Sequence, residues 1–150
     1  MTAAYGAGGA LDTRAMHQVE LSLAADVQML VLARMTAAAV ATRADFDVEQ
    51  VEDLRLAIDE LCIRLVQWGN GQERMTLTFQ WDDEGLVEVV GVVGRDGHPS
   101  GNGHGAASVK KPSYELAERI LEALVDEHGG DTVDGVRRVW LRVRRRGQMV

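Results

Sequence analysis

One short stretch of the sequence, residues 57–71, places several chemically versatile side chains at helical spacing. It reads AIDELCIRLVQWGNG and contains Glu60, Cys62, Arg64 and Trp68. Glu60 and Arg64 are four residues apart, so on a helix they would share one face. Two interpretations of Glu60 follow. It is either a general base that takes a proton from a reacting hydroxyl, or one half of a surface ion pair with Arg64 that contributes about 0.3–0.5 kcal/mol.

The other candidate groups for chemistry give weaker signals. Residues 94–108, GRDGHPSGNGHGAAS, have no apolar periodicity and predict a surface loop. His98 and His104 lie in that loop, but without a cysteine or a second close pair they make a poor metal site, so no metal site is predicted. Cys62 lies beside an apolar stripe and is predicted to be a buried, unreactive thiol.

The basic run near the C-terminus, VRRVWLRVRRR at residues 136–146, alternates in polarity. This alternation predicts an edge strand whose basic face is solvated. The alternative is a docking surface for a protein partner, because Trp and Arg are favoured anchors of interfaces. The candidate contacts are then Arg138, Trp140 and Arg142.

Composition and charge limit the number of domains, the kinds of partner and the cellular compartment that are expected. With 150 residues, of which 46% are hydrophobic and 26% charged, the chain has the size of one domain, predicted at residues 18–146 after a flexible Ala- and Gly-rich lead-in at 1–17. The net charge of −7 argues against direct binding to nucleic acid or to an anionic membrane. A single cysteine and the lack of an apolar run of roughly 20 residues favour a reduced, cytoplasmic setting.

Hydrophobic periodicity predicts the elements that must position these residues. Strands are expected at 19–23, 75–81, 86–93 and in the basic run, and helices at about 25–42, 48–68 and 114–128. Asp47 is expected to cap the second helix, with Gln50 completing a capping box. The apolar face of the first helix is expected to consist of Val27, Leu30, Val31, Met35 and Ala38.

The order of these elements predicts the fold class, an α/β two-layer sandwich of a mixed, largely antiparallel sheet with helices on one face. The stretch VEDLRLAIDELCIRLV, followed by a hairpin, a Gly/Asp loop and ILEALVDEH, carries a family resemblance. Over residues 19–145 the chain resembles bacterial anti-sigma factors of the serine/threonine-kinase type, in the GHKL ATPase superfamily. The similarity is closest to the actinobacterial stress-response branch.

The resemblance implies a histidine kinase-like ATPase fold, a pocket for ATP and Mg²⁺, and a homodimer. It also implies two protein partners, an alternative sigma factor and an anti-anti-sigma protein whose serine the active members phosphorylate. In that family a glutamate on the long helix activates the attacking hydroxyl, and an asparagine four residues later ligates Mg²⁺. Glu60 occupies the first position and Arg64 the second. A guanidinium has only N–H donors, so Arg64 could contact phosphate oxygens but could not ligate a metal.

Two further nucleotide motifs also depart from the family pattern. The aspartate that should accept a hydrogen bond from adenine is replaced by Arg95, although Gly97 matches, and Asp96 could substitute only after a shift in register. The glycine-rich phosphate cradle is replaced by KKPSYELA, where Lys110 and Lys111 are candidate phosphate contacts.

Three functions are consistent with these residues. The favoured one is an anti-sigma factor that sequesters an alternative sigma factor, is countered by an anti-anti-sigma protein, and has impaired or atypical ATP use. The second is an active ATP-dependent serine kinase with Glu60 as its base. The third is a non-catalytic interaction module of the same fold with another partner. Whether the chain is an enzyme is left open by the sequence.

Overall fold

The computed structural model describes residues 16–69, 73–95, 98–99 and 111–147. These residues form one sheet with helices packed against one of its faces. The strands are β1 (Met16–Ala24), β2 (Arg74–Asp82), β3 (Leu86–Arg95), β4 (His98–Pro99), β5 (Glu127–Val133) and β6 (Val136–Arg144). The helices are α1 (Leu30–Arg43), preceded by a 3₁₀ turn at Val27–Met29, α2 (Val48–Trp68) and α3 (Lys111–Leu124).

The sheet has the strand order β1-β2-β3-β6-β5, and β4 pairs with the end of β3. Every pairing among the described strands is antiparallel, so the two-layer α/β sandwich is confirmed while the expected mixed pairing is not seen. Strand β1 begins at Met16, inside the segment that the sequence assigned to the lead-in. Within the described ranges, no helix combines the length and apolar character that a membrane span requires.

Helix α2 lies across the centre of the sheet, as its apolar stripe predicts. Leu54, Ile58 and Leu65 on this stripe have no solvent exposure. Asp47 caps the helix, since its side chain accepts a hydrogen bond from the backbone N–H of Gln50 at 2.8 Å. The Gln50 side chain does not complete a capping box; it donates to the Arg144 carbonyl and accepts from the Arg146 amide, both at 3.0 Å. The start of α2 is thereby joined to the chain that leaves β6.

The buried face of α1 differs from the one predicted. Ala33, Ala37 and Ala41 are fully buried, whereas Val31 and Met35 are 50% and 63% exposed. Small side chains allow close approach to α2, which is also bridged to α1 by an ion pair between Arg34 and Asp59 at 3.0 Å. Of the predicted large apolar side chains, Leu30 is buried as expected, but Val27, Val31 and Met35 face outward. For these three the prediction was wrong because it gave the core face to large apolar side chains.

Strand β5 was missed by the sequence analysis, which extended the third helix through His128. The helix ends at Leu124, and residues 127–133 pair with β6. Asp134 and Gly135 join the two strands with φ of 53° and 81°, the backbone that an Asp-Gly hairpin turn adopts. Because β5 occupies the edge, β6 lies between β3 and β5, and the prediction of an edge strand for the basic run is wrong.

Candidate functional site

Glu60 lies on the side of α2 that faces α3. It lines a cavity of about 160 Å³ together with Leu116, Ala117 and Ile120 of α3 and Arg64 of its own helix. Partial burial is the largest cause of a raised pKa for the Glu60 carboxyl, and the neighbouring Asp59 raises it further, while Arg64 lowers it. A raised pKa brings a carboxylate closer to the range in which a general base works well. The environment of Glu60 is therefore compatible with proton transfer.

Arg64 is buried, with 6% of its surface exposed, and lies between two cavities. Its Nη2 is 3.9 Å from Oε1 of Glu118 on α3. The sequence left open whether Glu60 is a general base or the ion-pair partner of Arg64. Arg64 lowers the pKa of the Glu60 carboxyl, but burial and Asp59 together raise it by more, so the net shift is upward.

The second cavity, which we call the arginine cavity, lies where α2 and α3 meet β5 and β6. It has a volume of about 310 Å³ and is lined by Arg64, Trp68, Glu118 and residues 130–132 and 137–139. The guanidinium of Arg137 lies over the Trp68 ring, 4.1 Å from its centroid. Two arginines of the helix-facing side, Arg64 and Arg137, and the carboxylate of Glu118 thus belong to one polar cavity beside Glu60.

Arg138 and Arg142 of β6 are not part of the solvated patch that the sequence predicted, whereas Arg144 is exposed as expected. Arg138 donates two hydrogen bonds to the Asp131 carboxylate at 2.7 and 2.8 Å, which holds the pKa of Asp131 below its usual range. Arg142 donates to buried Glu88 at 2.7 Å and lies over the Trp140 ring. Arg138 and Arg142 are 7% and 9% exposed, because these side chains lie flat across neighbouring strands.

The other predicted nucleotide residues lie at the border of the described chain. Arg95 is the last residue of β3 and Lys111 the first of α3, and their side chains lie outside what the structure describes. Asp96, Gly97 and Lys110 lie outside the described residues altogether, as does the glycine loop at 101–105. The structure therefore brings together Glu60 and Arg64 but does not test the other nucleotide contacts.

Comparison with known proteins identifies the family to which this chain belongs. The model of the histidine kinase-like ATPase domain matches residues 23–143, which include the long helix, the cavities beside it and the whole of β5. The chain belongs to the histidine kinase-like ATPase domain family. Relatives include the protein called Anti-sigma-F factor RsbW in two strains of Mycobacterium tuberculosis, CDC 1551/Oshkosh and ATCC 25618/H37Rv. Each is 44% identical over 54 residues, a stretch that covers 36% of this chain and 32% of the relative's length.

The magnesium ion expected with ATP in a histidine kinase-like ATPase does not fit the residues beside Glu60. Mg²⁺ requires oxygen ligands, whereas Arg64 at the expected ligand position presents N–H donors and a positive charge. Among the described residues no group of three or more His, Cys, Asp or Glu side chains could hold a metal ion. The surplus of arginines favours an anion in this region of the domain, and disfavours a divalent cation.

Glu118 and Arg137 were missed by the sequence analysis, and Trp68 was noted there but was not assigned to this site. The alternation of the basic run did contain a signal for Arg137, since it shares the helix-facing side of β6 with Val139. The pairing with Trp68 depends on how the end of α2 crosses β6, which no local pattern specifies. Cys62 is buried as predicted, and burial raises the pKa of its thiol to about 12.

The raised pKa of Glu60 predicts how stability changes with pH. A carboxyl whose pKa is higher in the folded than in the unfolded state binds protons more tightly when folded, so stability falls as pH rises through that interval. Glu60→Gln removes this titration. We expect the variant to gain stability relative to the wild type between acidic and neutral pH, as measured by urea unfolding at several pH values. Parallel stability curves for the two proteins would contradict the raised pKa.

Proposed function

We propose that this chain is an anti-sigma factor that acts by binding. It would sequester an alternative sigma factor, and an anti-anti-sigma protein would compete for it. Support comes from membership of the histidine kinase-like ATPase family and from the mycobacterial relatives, which are named as anti-sigma factors and are matched over 32% of their length. The observation that carries the proposal is an exposed apolar surface on α1. Elsewhere in the domain, the metal-ligand position of the nucleotide region is an arginine.

The α1 apolar surface consists of side chains that follow one stripe of the helix and continue onto the edge strand. Val31, Leu32 and Met35 are all more than 40% exposed. Together with Val19, Leu21 and Trp81 of the sheet, Leu32 and Met35 border a groove of about 400 Å³. Large contiguous apolar surfaces of this kind are characteristic of protein interfaces. Binding to a protein partner would remove these side chains from water.

A homodimer is part of the proposal, as the family resemblance implies. Strand β1 is an edge of the sheet, so one row of its backbone N–H and C=O groups has no strand partner among the described residues. A second copy could pair with this edge about a two-fold axis, an arrangement in which the same surface contributes from both subunits. Light scattering on the purified protein should then give twice the mass of the chain.

The α1 apolar surface gives the first test of this function. Met35→Asp places a charge in its centre, and because Met35 is 63% exposed the fold should be retained. We expect sigma-factor affinity to fall by roughly 30-fold, the effect of losing one central interface anchor. Surface plasmon resonance with the immobilised sigma factor would measure the change.

Val48→Asp is the matched control, since Val48 is also a large exposed apolar residue, 81% exposed, but lies at the start of α2. Its affinity should equal that of the wild type. Equal, tight binding by both variants would exclude the α1 apolar surface from the interface. If copurification recovered neither a sigma factor nor an anti-anti-sigma protein, the domain would be an interaction module for another partner.

The second candidate function is an ATP-dependent serine kinase that phosphorylates the anti-anti-sigma protein. One observation favours it, the raised pKa of Glu60 at the expected position of a base. Arg64 opposes it, because the reaction would require Mg²⁺ at a position where a cation is repelled. A melting-temperature increase with ATP that depends on Mg²⁺ would support the kinase over the binder, since saturating ligand at about 100 times its Kd stabilises by roughly 2.7 kcal/mol.

A further inference from the structure

We propose that the arginine cavity binds a small phosphate-bearing anion without a metal ion, through Arg137 and Arg64. The cavity, of about 310 Å³, is within the size range of small-molecule sites. This inference goes beyond the anti-sigma proposal and does not rest on it. It follows from the charges that line the cavity and from the position of Arg137 on Trp68.

The charges in the cavity leave a surplus at Arg137. Asp131 and Arg138 neutralise each other through two short hydrogen bonds. Glu118 lies 3.9 Å from Arg64, and its side chain is 49% exposed, so this ion pair is loose. Among the described residues Arg137 has no carboxylate partner, and its guanidinium makes a cation–π contact with the Trp68 ring. An anion entering the cavity would therefore meet an uncompensated guanidinium.

The same arrangement specifies which part of a ligand is recognised. A guanidinium presents a planar set of N–H donors that matches two phosphate oxygens at once, and it supplies the positive charge that a metal ion would otherwise provide. One face of the Trp68 ring is already covered by Arg137, at 4.1 Å, and is not open for stacking by a purine. We therefore expect the phosphate groups, and not a nucleobase, to provide the affinity.

The experiment compares inorganic pyrophosphate, ATP and adenosine as probes of the 150-residue chain, each in excess EDTA and each with Mg²⁺ at matched ionic strength. Isothermal titration calorimetry and the melting temperature are the two readouts. We expect pyrophosphate and ATP to bind with similar affinity in EDTA, and adenosine not to bind. Added Mg²⁺ should weaken binding, because it neutralises the anion that the arginines attract.

Variants of the lining residues test the assignment. Arg137→Gln should weaken pyrophosphate binding roughly tenfold or more, and Arg137→Lys should restore part of it, because the charge returns without the planar donor set. Glu118→Gln should strengthen binding by removing a competing negative charge. Arg119→Gln is the control: it removes a positive charge from an exposed position on α3 that does not line the cavity, and affinity should be unchanged.

Three outcomes would overturn the proposal. Binding that requires Mg²⁺ would show metal-dependent nucleotide recognition. The absence of binding by either phosphate probe would show that the cavity takes no such anion. Equal affinity of Arg137→Gln and the wild type, at equal melting temperatures of the unliganded proteins, would place the anion elsewhere. None of these outcomes bears on sigma-factor binding, which is measured separately.

Discussion

Replacing Arg142 by alanine is expected to lower the free energy of unfolding by about 3–5 kcal/mol, because it leaves a buried carboxylate without its cation. Glu88 is 1% exposed and accepts a hydrogen bond from Nε of Arg142 at 2.7 Å on the face of the sheet away from the helices. Desolvation of an unpaired charge is what makes such a substitution costly. Urea unfolding of the variant and the wild type at neutral pH would measure the difference.

Two controls distinguish the cost of leaving a buried charge unpaired from the cost of losing an ion pair in itself. Arg55 and Glu52 form an exposed pair at the same kind of distance, 2.8 Å, and Arg55→Ala should cost less than about 1 kcal/mol. The double variant Glu88→Leu/Arg142→Met removes both charges together and should recover most of the loss. A cost for Arg142→Ala as small as that for Arg55→Ala would contradict the buried pair.

Replacing Leu65 by alanine is expected to cost about 2–5 kcal/mol, the range for removing a fully buried leucine. Leu65 has no solvent exposure and lies over Gly91 at the centre of the sheet. A Cβ added to Gly91 would lie 2.7 Å from Cδ1 of Leu65 and 2.9 Å from Cδ2 of Leu61, so Gly91→Ala should cost about 1–3 kcal/mol by overpacking. The absence of a side chain at position 91 is what lets α2 lie close to the sheet.

The double variant Leu65→Ala/Gly91→Ala tests this contact directly. The methyl group at position 91 would occupy part of the space that Leu65 vacates, so the double variant should cost less than the sum of the two single changes. We expect a coupling of at least about 0.5 kcal/mol between the two positions in urea unfolding. Gly147→Ala is the control, since nothing lies within 4 Å of a Cβ there, and it should be additive with Leu65→Ala. Additive costs for the first pair would mean that α2 does not pack on Gly91.

The fold was predictable where one residue pattern decides the structure. Asp47, the apolar stripe of α2, the alternation in β2 and the apolar run of β3 each specify a local element, and their order specifies the sandwich. The prediction failed where tertiary packing chooses between faces. On α1, close approach to α2 selects Ala33 and Ala37 for the core and leaves Met35 outside. Strand β5 was missed because its glycines were interpreted as the end of a helix, although Asp134-Gly135 is a hairpin signal.

The candidate site was predictable only in part. The helical spacing placed Glu60 and Arg64 on one face, and both line the cavity between α2 and α3. The partners of Arg64, Arg137 and Arg138 come from other elements. Local sequence therefore could not predict which of these arginines is neutralised by a carboxylate. Arg138 and Arg142 were expected to be exposed, and the structure shows them buried by acids on adjacent strands. Whether β6 contributes to a partner interface remains a prediction, now limited to half-buried Trp140.

We propose that this histidine kinase-like domain controls a sigma factor by binding and without metal-dependent nucleotide chemistry. The most direct measurement is the affinity of the purified chain for each sigma factor of its source organism, by surface plasmon resonance in EDTA without nucleotide. We expect submicromolar binding to one alternative sigma factor under these conditions. Binding to none of them, or binding that appears only when ATP and Mg²⁺ are supplied, would contradict control of a sigma factor by metal-free binding.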